Sequence, residues 1–122
     1  MEKTRFKGLV LQAIALIPDE FQDYISDVDV VVEDYPTQEQ LAGNLIKEGQ
    51  YLLGLYEGVP LTERHEYRGI LPDKITLFQE SIEAVSSSDD DIVKEVRETV
   101  LHEVAHHFGI DDRRLDELGN KE

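Results

Sequence analysis

The sequence predicts an α+β fold arranged as a single domain over residues 1–122. Three observations carry that expectation. Apolar residues recur at three- and four-residue intervals near both ends of the chain, as amphipathic helices require. Between them lie short β-branched or alternating runs bounded by proline, glycine and aspartate, as strands do. The 122 residues, 40% hydrophobic and 32% charged, suffice for one modest core but not for two.

Phe6, Leu9, Val10, Ala13, Ile14 and Ile17 share one side of a first helix running from about Lys3 to Ile17. Pro18-Asp19-Glu20 ends it and opens a short helical turn carrying Phe21, Tyr24 and Ile25. The β-branched stretch from Val28 to Val32 predicts a strand that stops near Tyr35-Pro36. Thr37 followed by Gln40 has the spacing of a capping box, in which each end of the first turn bonds the other. Leu41, Leu45 and Ile46 give that helix its apolar side, and Gly49 is placed to close it. Tyr51 to Tyr56 reads as a second strand. Gly58 to Pro72 is the longest irregular stretch, punctuated by Pro60 and Gly69. Lys74 to Phe78 alternates, with Ile75 and Leu77 on either side of Thr76, and reads as a strand with one exposed face. Ser88, followed by Asp89, Asp90 and Asp91, is a strong helix start. The last helix is expected from about Asp89 to Phe108, with Gly109 just past its end.

Charge and composition narrow the function. The 27 acidic and 12 basic residues give a formal charge of -15. Such a field repels phosphate backbones and anionic bilayers, so neither nucleic acid nor a membrane is an expected partner. With no cysteine, any metal site must be built from histidine and carboxylate. No stretch reaches the roughly 18 apolar residues of a membrane span. The residues after the N-terminus follow a helical period rather than a signal-peptide core, so the default expectation is a cytoplasmic protein.

The chemistry concentrates in His102-Glu103-Val104-Ala105-His106. Two imidazoles four residues apart lie one above the other on a helix face, a spacing that lets both bind one zinc ion. The glutamate between them is placed to take a proton from a water held by that ion. Ile92, Val93, Val96, Val100, Val104 and Phe108 form a broad apolar arc on the same helix. His102 and His106 project off this arc with Glu103 at its margin, so a helix packed by its valines presents both histidines to a cleft. Gly109 allows a sharp turn back toward them. Asp112 then stands six residues after His106, where the longer HExxHxxGxxH pattern has its third histidine, and a carboxylate can ligate zinc there. Asp111 competes for that role. Asp116, Glu117 and Glu122 read instead as decorating an exposed C-terminal turn with Leu115 and Leu118.

The run from Thr99 through His102, Glu103, His106, Gly109 and Asp112 to Leu118 resembles the minimal zincin-like metallopeptidase family of small bacterial proteins. Tyr56-Glu57-Gly58-Val59-Pro60-Leu61-Thr62 and Leu71-Pro72-Asp73-Lys74-Ile75-Thr76-Leu77-Phe78 support it upstream. The resemblance implies a short mixed β-sheet packed against helices, with the HExxH helix near the C-terminus and beneath an edge strand. It also implies a zinc-protease-like site with an aspartate as third ligand. Metzincin proteases carry a third histidine and a later methionine turn, whereas the one methionine here is Met1.

Two classes of function follow. In the first, Zn2+ held by His102, His106 and Asp112 serves hydrolysis of a peptide or protein substrate, with Glu103 as general base. In the second, the ion only stabilises an interaction module. Glu103 favours the enzyme, because holding a metal needs no base between the ligands. His65 and Tyr67 precede the strand from Lys74, where either would donate a hydrogen bond to a tetrahedral intermediate or simply face water. Arg64 would bind a substrate carboxylate or, like them, simply face water. His107 points about 100° from His106 on a helix and is expected to pack or to hydrogen-bond behind the site rather than ligate. The strand from Lys74 to Phe78 is expected either to be an ordinary sheet edge or to pair with an extended peptide.

Overall fold

Helix α1 (Lys3–Ala15) buries Phe6, Leu9, Val10 and Ala13, the side that its apolar spacing defines. It stops two residues before the expected end, and Ile17 is buried just beyond it. Helix α2 (Asp19–Ile25) follows at once. The Gln22 side-chain amide donates to the carbonyls of Ile17 at 2.9 Å and Ile14 at 3.3 Å, tying α2 to the end of α1. The computed structural model describes residues 1–26, 28–47, 49–58 and 73–107.

Strand β1 (Asp29–Glu33) leads to helix α3 (Gln38–Gly43), which opens with the expected capping box. The Gln40 amide donates to Thr37 Oγ1 at 3.0 Å and the Thr37 amide to Gln40 Oε1 at 2.9 Å. The helix ends earlier than its sequence suggests. Leu45 takes a left-handed backbone, with φ of 56°, and is 84% exposed, so neither it nor Ile46 extends an apolar face of α3. Strand β2 (Gly54–Glu57) is shorter than the run from Tyr51 to Tyr56 and shifted toward its end. Strand β3 (Lys74–Phe78) passes directly into helix α4 (Gln79–Ala84), an element too short for any periodicity to announce. Helix α5 (Asp89–His107) is the longest among the described residues.

The three strands form one sheet in the order β1-β3-β2, with β1 parallel and β2 antiparallel to β3. This corrects the reading of Lys74–Phe78 as an exposed-face or edge strand. It is the central strand, hydrogen-bonded on both sides, and Thr76 on its second face is only 2% exposed. A peptide therefore cannot add to it. The alternation in sequence reflects a threonine that is buried, which hydropathy alone does not distinguish from one in water.

Register decides which side chains reach the core. Val30 pairs with Ile75 and Tyr56 with the same residue, while Val32 and Gly54 both pair with Leu77. These positions share the sheet face that packs on the helices. Helix α5 lies against α1 and β2, burying Ile92, Val96, Val100, Leu101, Val104 and Ala105. Leu101 and Ala105 widen the valine arc because this helix is covered on two sides. Among the described residues no helix is long and apolar enough to cross a membrane.

Helix α5 begins as its sequence requires. The Asp91 amide donates to Ser88 Oγ at 3.1 Å, and the Asp91 carboxylate accepts from Ser87 Oγ at 2.6 Å and from the Ser87 amide at 3.0 Å. Hydrogen bonds from the Ser87 hydroxyl and then its amide hold the Asp91 carboxyl below its ordinary 3.8. Ser88→Ala is expected to lower stability by about 1 kcal/mol in denaturant titrations. A lowered folded-state pKa gives stability that is complete above the unfolded value and vanishes as pH falls through the folded one. The stability gap between wild type and Asp91→Asn is accordingly expected to close as the solution is acidified below the ordinary aspartate range.

Candidate metal centre

The close approach of β2 to α5 sets the floor of the site. A Cβ built on Gly54 would lie 2.6 Å from Thr99 Cγ2, 3.1 Å from the Thr76 carbonyl oxygen and 3.2 Å from Leu77 Cδ2. Only glycine fits where the strand is pressed this tightly onto the helix. Thr99 lies one turn before His102, so the contact fixes the helix face that carries the histidines.

Beside this contact runs a cleft of about 320 Å³, lined by Leu53, Gly54, Thr99, His102, Glu103 and His106, with Glu95 and Glu98 farther along α5. His102 and His106 are exposed while Val104 and Ala105 beside them are buried. Packing of the valine side thus turns both imidazoles outward. Glu103 is half-buried at the boundary. Burial raises its carboxyl above the ordinary glutamate value, and the nearby His106 opposes part of that rise.

The two imidazoles meet edge to face, with ring centroids 6.2 Å apart and planes at 62°. Rings sharing one zinc at about 2.0–2.1 Å from each nitrogen can have centroids at most about 6.4 Å apart. The pair lies just inside that limit, and tetrahedral coordination needs the exposed rings to swing toward each other. Two nitrogen donors and a neighbouring carboxyl group fit zinc chemistry, and a catalytic zinc needs a third protein ligand. Among the described residues no set of three or more histidines, aspartates or glutamates gathers around one point. Asp112 and Asp111 lie outside the described residues, as do His65, Tyr67 and Arg64. Phe108 and Gly109 lie there as well.

His107 takes the packing role expected of it. Its ring stacks on Tyr56 with centroids 4.0 Å apart and planes at 17°. Tyr56 donates its hydroxyl to Asp73 Oδ2 at 2.6 Å, and His107 Nε2 stands 3.8 Å from the same oxygen. The last turn of α5 is therefore tied to the end of β2 and to the residue that precedes β3. Gly58 makes room for it, since a Cβ there would lie 2.9 Å from His107 Cε1. Sequence reasoning did not single out Tyr56, Asp73, Gly54 or Thr99 for these roles. A glycine inside an apolar run was the available signal for Gly54. Nothing local pairs Tyr56 with His107, which are brought together only by folding.

The chain matches the zincin-like metallopeptidase family over residues 25–121. Its structure is similar to that of a conserved hypothetical protein from Thermus thermophilus, with a TM-score of 0.57 and 25% identity, covering 99% of this chain and 100% of the other. No curated protein matches the chain.

The Gly54 contact makes a direct test of how the site is held. Gly54→Ala is expected to destabilise the fold by about 1–3 kcal/mol, the usual range for forcing a methyl into a packed contact. Adding Thr99→Ala should recover part of that loss, because it removes the nearest obstruction. Additive losses in a denaturant double-mutant cycle would contradict the contact.

Proposed function

The chain belongs to the zincin-like metallopeptidase family, and on that premise we propose that it is a zinc-dependent peptidase whose reacting groups sit on the last two turns of α5. His102 and His106 are two of the zinc ligands in this reading and Asp112 is the third, with Asp111 as its competitor. Bound zinc supplies Lewis acidity toward the scissile carbonyl and lowers the pKa of water. Glu103 moves the proton. Its carboxylate accepts one from the attacking water and later returns it to the leaving amine nitrogen. Partial burial of Glu103 suits that exchange, because a raised proton affinity strengthens the base.

The substrate is a peptide or protein held in extended form. Among the described residues β2 carries no strand on its outer side, and Gly54 at its start borders the cleft. An extended backbone laid along β2 would bring a peptide carbonyl over the histidines, with hydrogen bonds to the strand edge supplying alignment. Arg64, His65 and Tyr67 remain candidates for binding a substrate carboxylate or the transition state. The observation that carries the reading is the placement of His102, Glu103 and His106 together on one helix face bordering an open cleft.

Glu103→Gln separates a peptidase from a module that merely holds zinc. The variant is expected to keep its bound metal while chelator-sensitive cleavage of a peptide library falls by about 10²–10⁴-fold. Equal cleavage by variant and wild type, or none by the wild type, would overturn the catalytic reading. His102→Ala is expected to lose zinc and, with it, the upward shift in melting temperature that added zinc gives the wild type. Unchanged metal content in that variant would reject the ligand set.

A further inference from the structure

A second concavity lies outside the histidine cleft and has no part in the hydrolytic reading. It is a groove of about 400 Å³ between the segment following β1, α3, the segment before β2, and α4. Tyr35 and Tyr51 line it and are 69% and 57% exposed, large aromatic surfaces that folding leaves in water. Pro36, Leu41 and Leu52 supply further apolar lining, and among the described residues Glu80 is the only charged one on its wall. Exposed tyrosines beside apolar side chains are the composition of recognition surfaces, since the ring gives contact area at low entropic cost.

We propose that this groove is a docking site for an extended, proline-containing and positively charged segment of another protein. Aromatic-lined grooves take polyproline II segments because proline presents a preformed apolar ridge that loses little entropy on binding. Charge selects the sign of the ligand. Glu80 lies in the groove, and the chain carries a net charge of -15, which attracts arginine or lysine and repels acidic segments. The same charge opposes a second copy of this chain as occupant.

The groove adjoins the histidine cleft along the backbone. Gln50, Tyr51 and Leu52 border the groove, and the next two residues, Leu53 and Gly54, border the cleft. A ligand seated on Tyr51 is thus two to three residues of extended chain, roughly 7–10 Å, from the start of β2. Docking in the groove requires neither zinc nor hydrolysis, so it stands or falls apart from the peptidase reading.

The test uses the full chain and two fluorescein-labelled peptides of about twelve residues. One contains proline, leucine and arginine, and the other has glutamate at each arginine position. Fluorescence anisotropy is expected to show saturable binding of the cationic peptide and at least tenfold weaker binding of the anionic one. Tyr35→Ala and Tyr51→Ala, at exposed positions that leave the fold intact by circular dichroism, should each weaken binding by about tenfold. Glu80→Lys should narrow the preference between the peptides. Absence of saturable binding, equal affinity for both peptides, or unchanged binding by the tyrosine double variant would overturn the proposal. So would a dimer in sedimentation equilibrium that the tyrosine substitutions dissociate, which would make a second copy the occupant.

Discussion

The approach of β2 to α5 at Gly54 and Thr99 is the constraint on which the site depends. Without a side chain at Gly54, the strand sits directly on the helix, and Gly54 with the preceding Leu53 forms one wall of the cleft. A larger residue would separate the two elements where His102 begins its turn. The same helix is held on its other flank by α1, whose Phe6, Leu9, Val10 and Ala13 join the core with Val96, Val100 and Val104. Helix α5 therefore has little freedom to roll. Fixing the roll angle decides which side chains are buried and which face the cleft.

Chemistry follows from that angle. Residues 104 and 105 are fully buried, residues 102 and 106 are exposed, and Glu103 falls between. A carboxyl at such a boundary is partly stripped of water yet can still reach a proton in the cleft, which accounts for its raised proton affinity. Beyond His106 the helix is secured by His107 stacking on Tyr56, whose hydroxyl is itself held by the buried Asp73. Adjacent histidines thus have separate work. One faces the cleft, and the other joins the last turn to the sheet.

The groove lined by Tyr35 and Tyr51 arises from a different part of the same architecture. Helices α3 and α4 are short, and α3 buries none of its residues completely. They therefore cannot close over the segments beside them as α1 and α5 close over the sheet. Two tyrosines remain in solvent as a result. The chain from Gln50 to Gly54 passes from this groove into the cleft, so two surfaces of different composition share one extended segment.

Local rules made a large part of this protein legible from its residues. The capping box at Thr37 and Gln40, the serine cap and acidic first turn of α5, and the apolar side of α1 each depend on neighbours three or four positions apart. The HExxH spacing places two imidazoles and a carboxyl on one helix face by the same geometry. Pairing between distant segments was not legible in this way. Alternation in Lys74–Phe78 marked a strand but not its central place, because Thr76 is buried by what lies across the sheet rather than by its own polarity. Helix α4 was not legible because it is short and takes its place by packing on β3 and α5, and α3 ends early where Leu45 adopts a left-handed backbone that no spacing rule announces. Sequence alone determined the grouping of His102, Glu103 and His106 and the helix that carries them, since helical periodicity is a property of the local backbone. Tertiary structure decided the strand order, the wall opposite the histidines and the anchoring of His107, since each needs residues far apart in sequence to meet at van der Waals distance.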